Sequence, residues 1–121
     1  TLDTVSAIDY LSKNGFPHDF IDEAAIDKAV IYCSNKYLSK EINTLLYCSI
    51  INKIFYIDVI KSTIRIENAS LYSLLNELSE LQYYDQVNDS KKMHQCLDRL
   101  YKYLDTKNRE RLPSVKVPIL D

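Results

Sequence analysis

The chain has 121 residues, 46% of them hydrophobic, a net charge of −2 and a single glycine, Gly15. That length suits one domain with one core. So little glycine excludes tight hairpins, phosphate-cradling loops and nucleophile elbows, which need positive φ.

The expected fold is therefore all-α: a single right-handed bundle of about five helices over residues 1–112, followed by an extended Pro-containing tail, 113–121. From Thr4 to Lys13, Val5, Ile8 and Leu11 recur at helical spacing. Asn14-Gly15 stops that helix and Pro17 forbids its continuation. Asp19 is expected to cap a second helix, with Asp22 and Glu23 in its first turn, where negative charge suits the dipole. Ala25, Ala29, Val30 and Cys33 form its apolar stripe, and Asn35-Lys36 closes it. Ser39 reads as the N-cap of a third helix. Its stripe runs through Ile42, Leu45, Leu46, Ile50, Ile54, Ile57 and Ile60, covers more than one face, and marks this helix as central. Thr63 to Asn68 is a connector. Asn68 or Ser70 caps a fourth helix, where Leu71, Leu74, Leu75, Leu78 and Leu81 keep strict three-four spacing. After a polar loop from Gln86, Ser90 caps a fifth helix whose core face is Met93, Cys96, Leu97, Leu100 and Leu104. A short turn is expected from Asn108 to Leu112, and Pro113 and Pro118 then bracket the tail.

No apolar run reaches the roughly 18–20 residues of a membrane span, so no membrane partner is expected. The chain opens at Thr1 without a methionine and reads as a fragment of a longer protein, with no signal peptide visible. Residues 1–88 hold 7 basic and 12 acidic side chains, and residues 89–121 hold 8 basic and 5 acidic. That mildly basic end is thin for a nucleic-acid binder, which shows a clustered basic face. Cys33, Cys48 and Cys96 sit among apolar helical neighbours and read as small reduced core residues of an intracellular protein. No CxxC or paired-histidine spacing exists, so neither a metal nor a cofactor is expected. The motifs of serine hydrolases, P-loop enzymes and zinc proteases are missing, and His18 and His94 have no nucleophile partner. The chain reads as a non-enzyme. Asp22, Glu23 and Asp27 read as a solvated acidic helix face.

Ten tyrosines and no tryptophan set this composition apart. Two readings stand. The rings are boundary residues with hydroxyls in water, or some form a contact surface for another protein. Tyr101 and Tyr103 are best placed for the second.

The stretch IKSTIRIENASLYSLLNELSELQYYDQ, from Ile60 to Gln86, has an Ile-acidic-Asn connector at Ile66-Glu67-Asn68 and then a leucine helix ending in Leu81-Gln82. HQCLDRLYKYL follows as a basic helix. Over residues 49–112 this pattern resembles the integrase-binding domains, within the wider family of TFIIS N-terminal-like helical domains. The first forty residues and the tail have no counterpart there. The resemblance implies a peptide-binding module of a nuclear chromatin or transcription protein, its partners short motifs with acidic residues and phenylalanine. It implies that Ile66 lines the pocket and Glu67 accepts backbone N–H groups of the ligand. It makes Tyr103 an aromatic wall with Leu104 beside it, and it brings Lys102 and Lys107 to acidic ligand residues at the rim. Read from the residues alone, Ile66 is first a hydrophobic staple packing onto the next helix and Asn68 its cap, with a binding role second. A second stretch, Ala7 to Ala29, resembles the helix, Gly-Phe-Pro loop and helix of ubiquitin-associated domains, although Phe16 there also reads as a core plug. An alternative to peptide binding is a helical assembly domain, a homodimer or part of a larger complex, which the greasy stretch Ile42 to Ile60 favours.

Overall fold

The most apolar stretch of the chain becomes the axis of the fold. The computed structural model describes residues 2–16, 23–61 and 69–111. They form α1 (Leu2–Lys13), α2 (Glu23–Leu38), α3 (Thr44–Lys61), α4 (Ala69–Leu78), α5 (Leu81–Gln86) and α6 (Ser90–Arg111), with no strand among the described residues. The protein is an all-α bundle. In α3, Tyr47, Ile50, Ile51 and Ile54 follow the three-four step of one face and have no exposed surface. Cys48, on an adjoining face, is buried too. More than one face can be apolar because α1, α2, α4 and α5 all pack on this helix, α1 most extensively. The greasy surface between Tyr47 and Ile54 is thus used within the chain.

Each neighbour contributes a short stripe to one core: Ala7 and Leu11 from α1; Ile26, Ala29, Val30 and Cys33 from α2; Leu71, Leu74, Leu75 and Leu78 from α4; Leu81 from α5. Helix α6 closes the bundle over α4 and α5 with Cys96 and Leu100 buried and Met93, Leu97, Tyr103 and Leu104 packed beside them. All three cysteines are free and buried.

Helix ends follow the capping chemistry, at positions partly different from those expected. Gly15 adopts φ +84°, the left-handed conformation that stops α1. Asn14 joins in: its side-chain amide donates to the Tyr10 carbonyl at 2.8 Å. Helix α2 runs past Asn35-Lys36 and ends at Leu38, and in the turn that follows Lys40 takes φ +66°. Ser39 does not cap α3. Its hydroxyl bonds the Lys36 carbonyl and Glu41, and Asn43 caps instead, its Oδ1 accepting the Leu46 N–H at 2.8 Å. Asp89, not Ser90, caps α6, accepting the Lys92 N–H at 3.1 Å.

The leucine helix is two helices. A turn at Ser79-Glu80 separates α4 from α5, and Cys48 bridges it from α3. The Cys48 thiol donates to the Leu78 carbonyl at 3.4 Å, and its sulfur accepts the Gln82 N–H at 3.2 Å. One small polarisable side chain thereby partners both a carbonyl at the end of α4 and an N–H at the start of α5. The expected turn at Asn108 to Leu112 is also absent as far as Arg111, because α6 stays helical to that residue. Asp19, His18, the connector Thr63 to Asn68 and the tail from Pro113 lie outside the described residues.

Candidate functional site

Tyrosine hydroxyls tie the helices of this bundle together. Ser34 and Tyr47 share a hydrogen bond of 2.6 Å between α2 and α3 with neither residue exposed. The Tyr47 ring stacks on Tyr37 with centroids 4.4 Å apart, and Tyr37 in turn meets Thr44 at 3.1 Å. Tyr32 donates to Asn14 at 2.5 Å, joining α2 to the end of α1, where Phe16 packs 5.4 Å from its ring. Phe16 is the core plug the sequence implied. Much of the tyrosine excess therefore has an internal use. Tyr47 is not a boundary residue at all, while Tyr83 and Tyr101 stay more than half exposed.

One tyrosine, Tyr103, also borders a hollow. Between the start of α4 and the second half of α6 lies a cavity of about 300 Å³, lined by Leu71, Leu74, Arg99, Lys102, Tyr103 and Lys107, with Ser70, Thr106 and Glu110 at its edge. Helix geometry explains the grouping. Arg99, Lys102, Tyr103, Thr106, Lys107 and Glu110 are three or four positions apart and share one side of α6. The floor is apolar, formed by the half-buried Tyr103 ring and by the edges of Leu71 and Leu74, which are only 2% and 3% exposed, and three cations surround it.

Two of those cations, Arg99 and Lys107, are held in place. Arg99 meets Glu77 at 2.9 Å and the Ser73 hydroxyl at 3.2 Å, which orients it across to α4. Lys102 pairs with Asp98 at 3.1 Å on the exposed surface, a contact worth little. Lys107 is more enclosed. Its ammonium lies 3.2 Å from Asp27 Oδ2 and 3.4 Å from Glu110, and 5.9 Å from the centre of the Tyr103 ring. The Tyr103 hydroxyl donates to the other oxygen of the same Asp27 carboxylate. Burial works to lower the Lys107 pKa, but the hydrogen bond and charge of Asp27, with Glu110, outweigh it and hold Lys107 above the ordinary lysine value.

Of the six residues the resemblance assigned to a site, Lys102, Tyr103 and Lys107 come together at this hollow. Leu104 packs against the core instead and does not line it. Ile66 and Glu67 lie outside the described residues. Sequence reasoning missed Arg99, Leu71 and Leu74, which the three-four spacing of both helices could have placed. It also missed Asp27: its side chain is only 16% exposed, so the solvated acidic face expected there is corrected at that residue. No local signal announces a partner 76 positions away. Among the described residues, no group of three or more histidine, cysteine or acidic side chains is arranged to hold a metal ion. No helix among them is long and apolar enough to cross a membrane.

No protein-family model matches this chain, and no curated protein or solved structure matches it either. The likeness to integrase-binding and TFIIS N-terminal-like domains rests on the residues quoted for it.

Proposed function

We propose that this chain is a helical protein-interaction module that holds a short acidic peptide, anchored by a phenylalanine, in the α4–α6 hollow. The observation that carries the reading is the apolar floor of Leu71, Leu74 and Tyr103 under Arg99, Lys102 and Lys107. An aromatic anchor supplies the apolar area and the cations meet the flanking carboxylates. A volume of about 300 Å³ is at the small end for ligand pockets, in keeping with one anchoring side chain. The resemblance adds Ile66 and Glu67 as ligand contacts, two residues that lie outside the described ones. The resemblance adds the setting, a nuclear chromatin or transcription protein.

Calorimetric titration with a blocked peptide, acetyl-Asp-Asp-Phe-Asp-amide, tests the reading. Binding is expected, weakened at least about fivefold by Lys102→Glu, because a rim cation becomes a like charge. Heat that Lys102→Glu leaves unchanged, or no binding at all, contradicts it.

A second reading, assembly with a like or unlike subunit, draws on Leu45, Tyr83, Val87 and Tyr101, large apolar side chains between 44% and 57% exposed. Sedimentation at several concentrations separates the two, since a strict monomer at high micromolar concentration removes self-association.

A further inference from the structure

The cation that an acidic ligand needs is already held by a carboxylate of this chain. Lys107 borders the α4–α6 hollow and also a second one of about 610 Å³ on the α2 side, lined in part by Phe16, Asp27, Ile31 and Tyr32. It stands between the two, with Asp27 on the far side from the leucine floor. The other carboxylates that pair with lysine or arginine on α6 are more exposed: Asp98, Asp105 and Glu110 lie on α6 itself, and Glu77 comes from α4. Among the described residues Asp27 alone reaches over from α2, and it takes both the Lys107 ammonium and the Tyr103 hydroxyl. Both residues belong to the α6 set that the peptide reading gives to the ligand, beside Arg99 and Lys102.

We propose that Asp27 is a built-in competitor for the ligand's acidic group, so that the site is occupied by its own chain at rest and opens when a ligand carboxylate takes Lys107 from it. This rests on the peptide reading above. One carboxylate replaces another at Lys107, so the exchange itself is close to balanced. Asp27 loses an ion pair but keeps the Tyr103 O–H as a partner, which limits the cost of leaving it enclosed. At Lys107, therefore, a ligand whose only attraction is its charge gains almost nothing. Net affinity must come from an apolar group on the leucine floor, which names the ligand class: an acid next to an aromatic ring, never a simple anion.

Asp27→Asn is the test, because it removes the charge and keeps an oxygen that can accept from Tyr103. Titration with acetyl-Asp-Asp-Phe-Asp-amide in about 0.15 M salt is expected to show about tenfold tighter binding than the parent chain, in the range measured for close charge pairs at interfaces. Asp105→Asn removes an exposed carboxylate of the same helix whose partner, Arg109, is not among the residues lining the hollow, and it controls for net charge; screening holds its effect within about twofold. Tighter binding by Asp27→Asn, or binding by that variant alone, supports the competitor. Equal or weaker binding by the variant, with the parent chain still binding, overturns the competitor and leaves the peptide reading standing. Binding by neither overturns both. A readout on the parent chain guards against a variant that fails to fold: the carboxyl ¹³C resonance of Asp27 is expected to shift as the peptide binds. A still Asp27 beside shifting amides at Leu71 and Tyr103 overturns the competitor alone.

Discussion

Tyr103 donates its hydroxyl proton to Asp27, and this bond joins the last helix of the bundle to the second across 76 positions of sequence. A hydrogen bond to a charged, mostly enclosed acceptor is among the stronger polar contacts in a protein. Tyr103→Phe keeps the ring over the core and deletes the donor. It is expected to lower unfolding stability by about 1–2 kcal/mol, read from urea denaturation. An unchanged midpoint would mean that water replaces the bond without loss.

Ser34 and Tyr47 make the same kind of link deeper in the molecule, where water cannot reach. Tyr47→Phe leaves the Ser34 hydroxyl buried without its partner on α3, at an expected cost of about 1–3 kcal/mol. Adding Ser34→Ala should recover part of that loss, since both polar ends are then gone. A double variant as unstable as the sum of the two singles would show that the pair is not coupled.

Gly15 tests the left-handed stop of α1. An added Cβ meets nothing within 4 Å, so the cost of Gly15→Ala is conformational, about 1 kcal/mol. Gly15→Asn should cost less, because asparagine visits this region more readily. Equal thermal midpoints for all three proteins would contradict the assignment.

The thiols give an alkaline signature. Burial pushes Cys33 and Cys96 up to about 12 and Cys48 up to about 11, the last held back by the Gln82 N–H. Below the ordinary thiol value of 9.0, both folded and unfolded chains keep these protons and stability does not depend on them. Above it the unfolded chain ionises while the folded chain does not, so stability falls as pH rises toward 11–12. Lys107, raised by Asp27, adds to the loss at the upper end of that window. Urea midpoints at pH 8 and pH 10 are expected to differ, the higher pH being weaker. A thiol reagent at pH 8 should leave all three cysteines untouched until denaturant is added.

Most of this fold was legible because local chemistry and burial agree. The three-four spacing of Leu71, Leu74, Leu75 and Leu78 reads directly as the buried face of α4. Asn14-Gly15 ends α1 where expected, with the positive φ that glycine permits. Where several residues of one type compete, the local signal fails. Ser39 and Asn43 are both good caps, and only the turn at Lys40 decides for Asn43. The break at Ser79-Glu80 was hidden for another reason: the thiol that partners both its sides sits on α3, more than thirty positions away. At the hollow, Lys102, Tyr103 and Lys107 were named by the resemblance, and their three-four spacing agrees with the shared side of α6 on which they lie. Asp27 could not be read in this way, since its role exists only once α2 and α6 are side by side.

The most direct test of a peptide site between α4 and α6 is a two-dimensional amide titration of the ¹⁵N-labelled chain with acetyl-Asp-Asp-Phe-Asp-amide. Saturable shifts are expected at Ser70, Leu71, Leu74, Lys102, Tyr103 and Lys107. Shifts confined to other faces of the bundle, or none at millimolar peptide, would contradict the account.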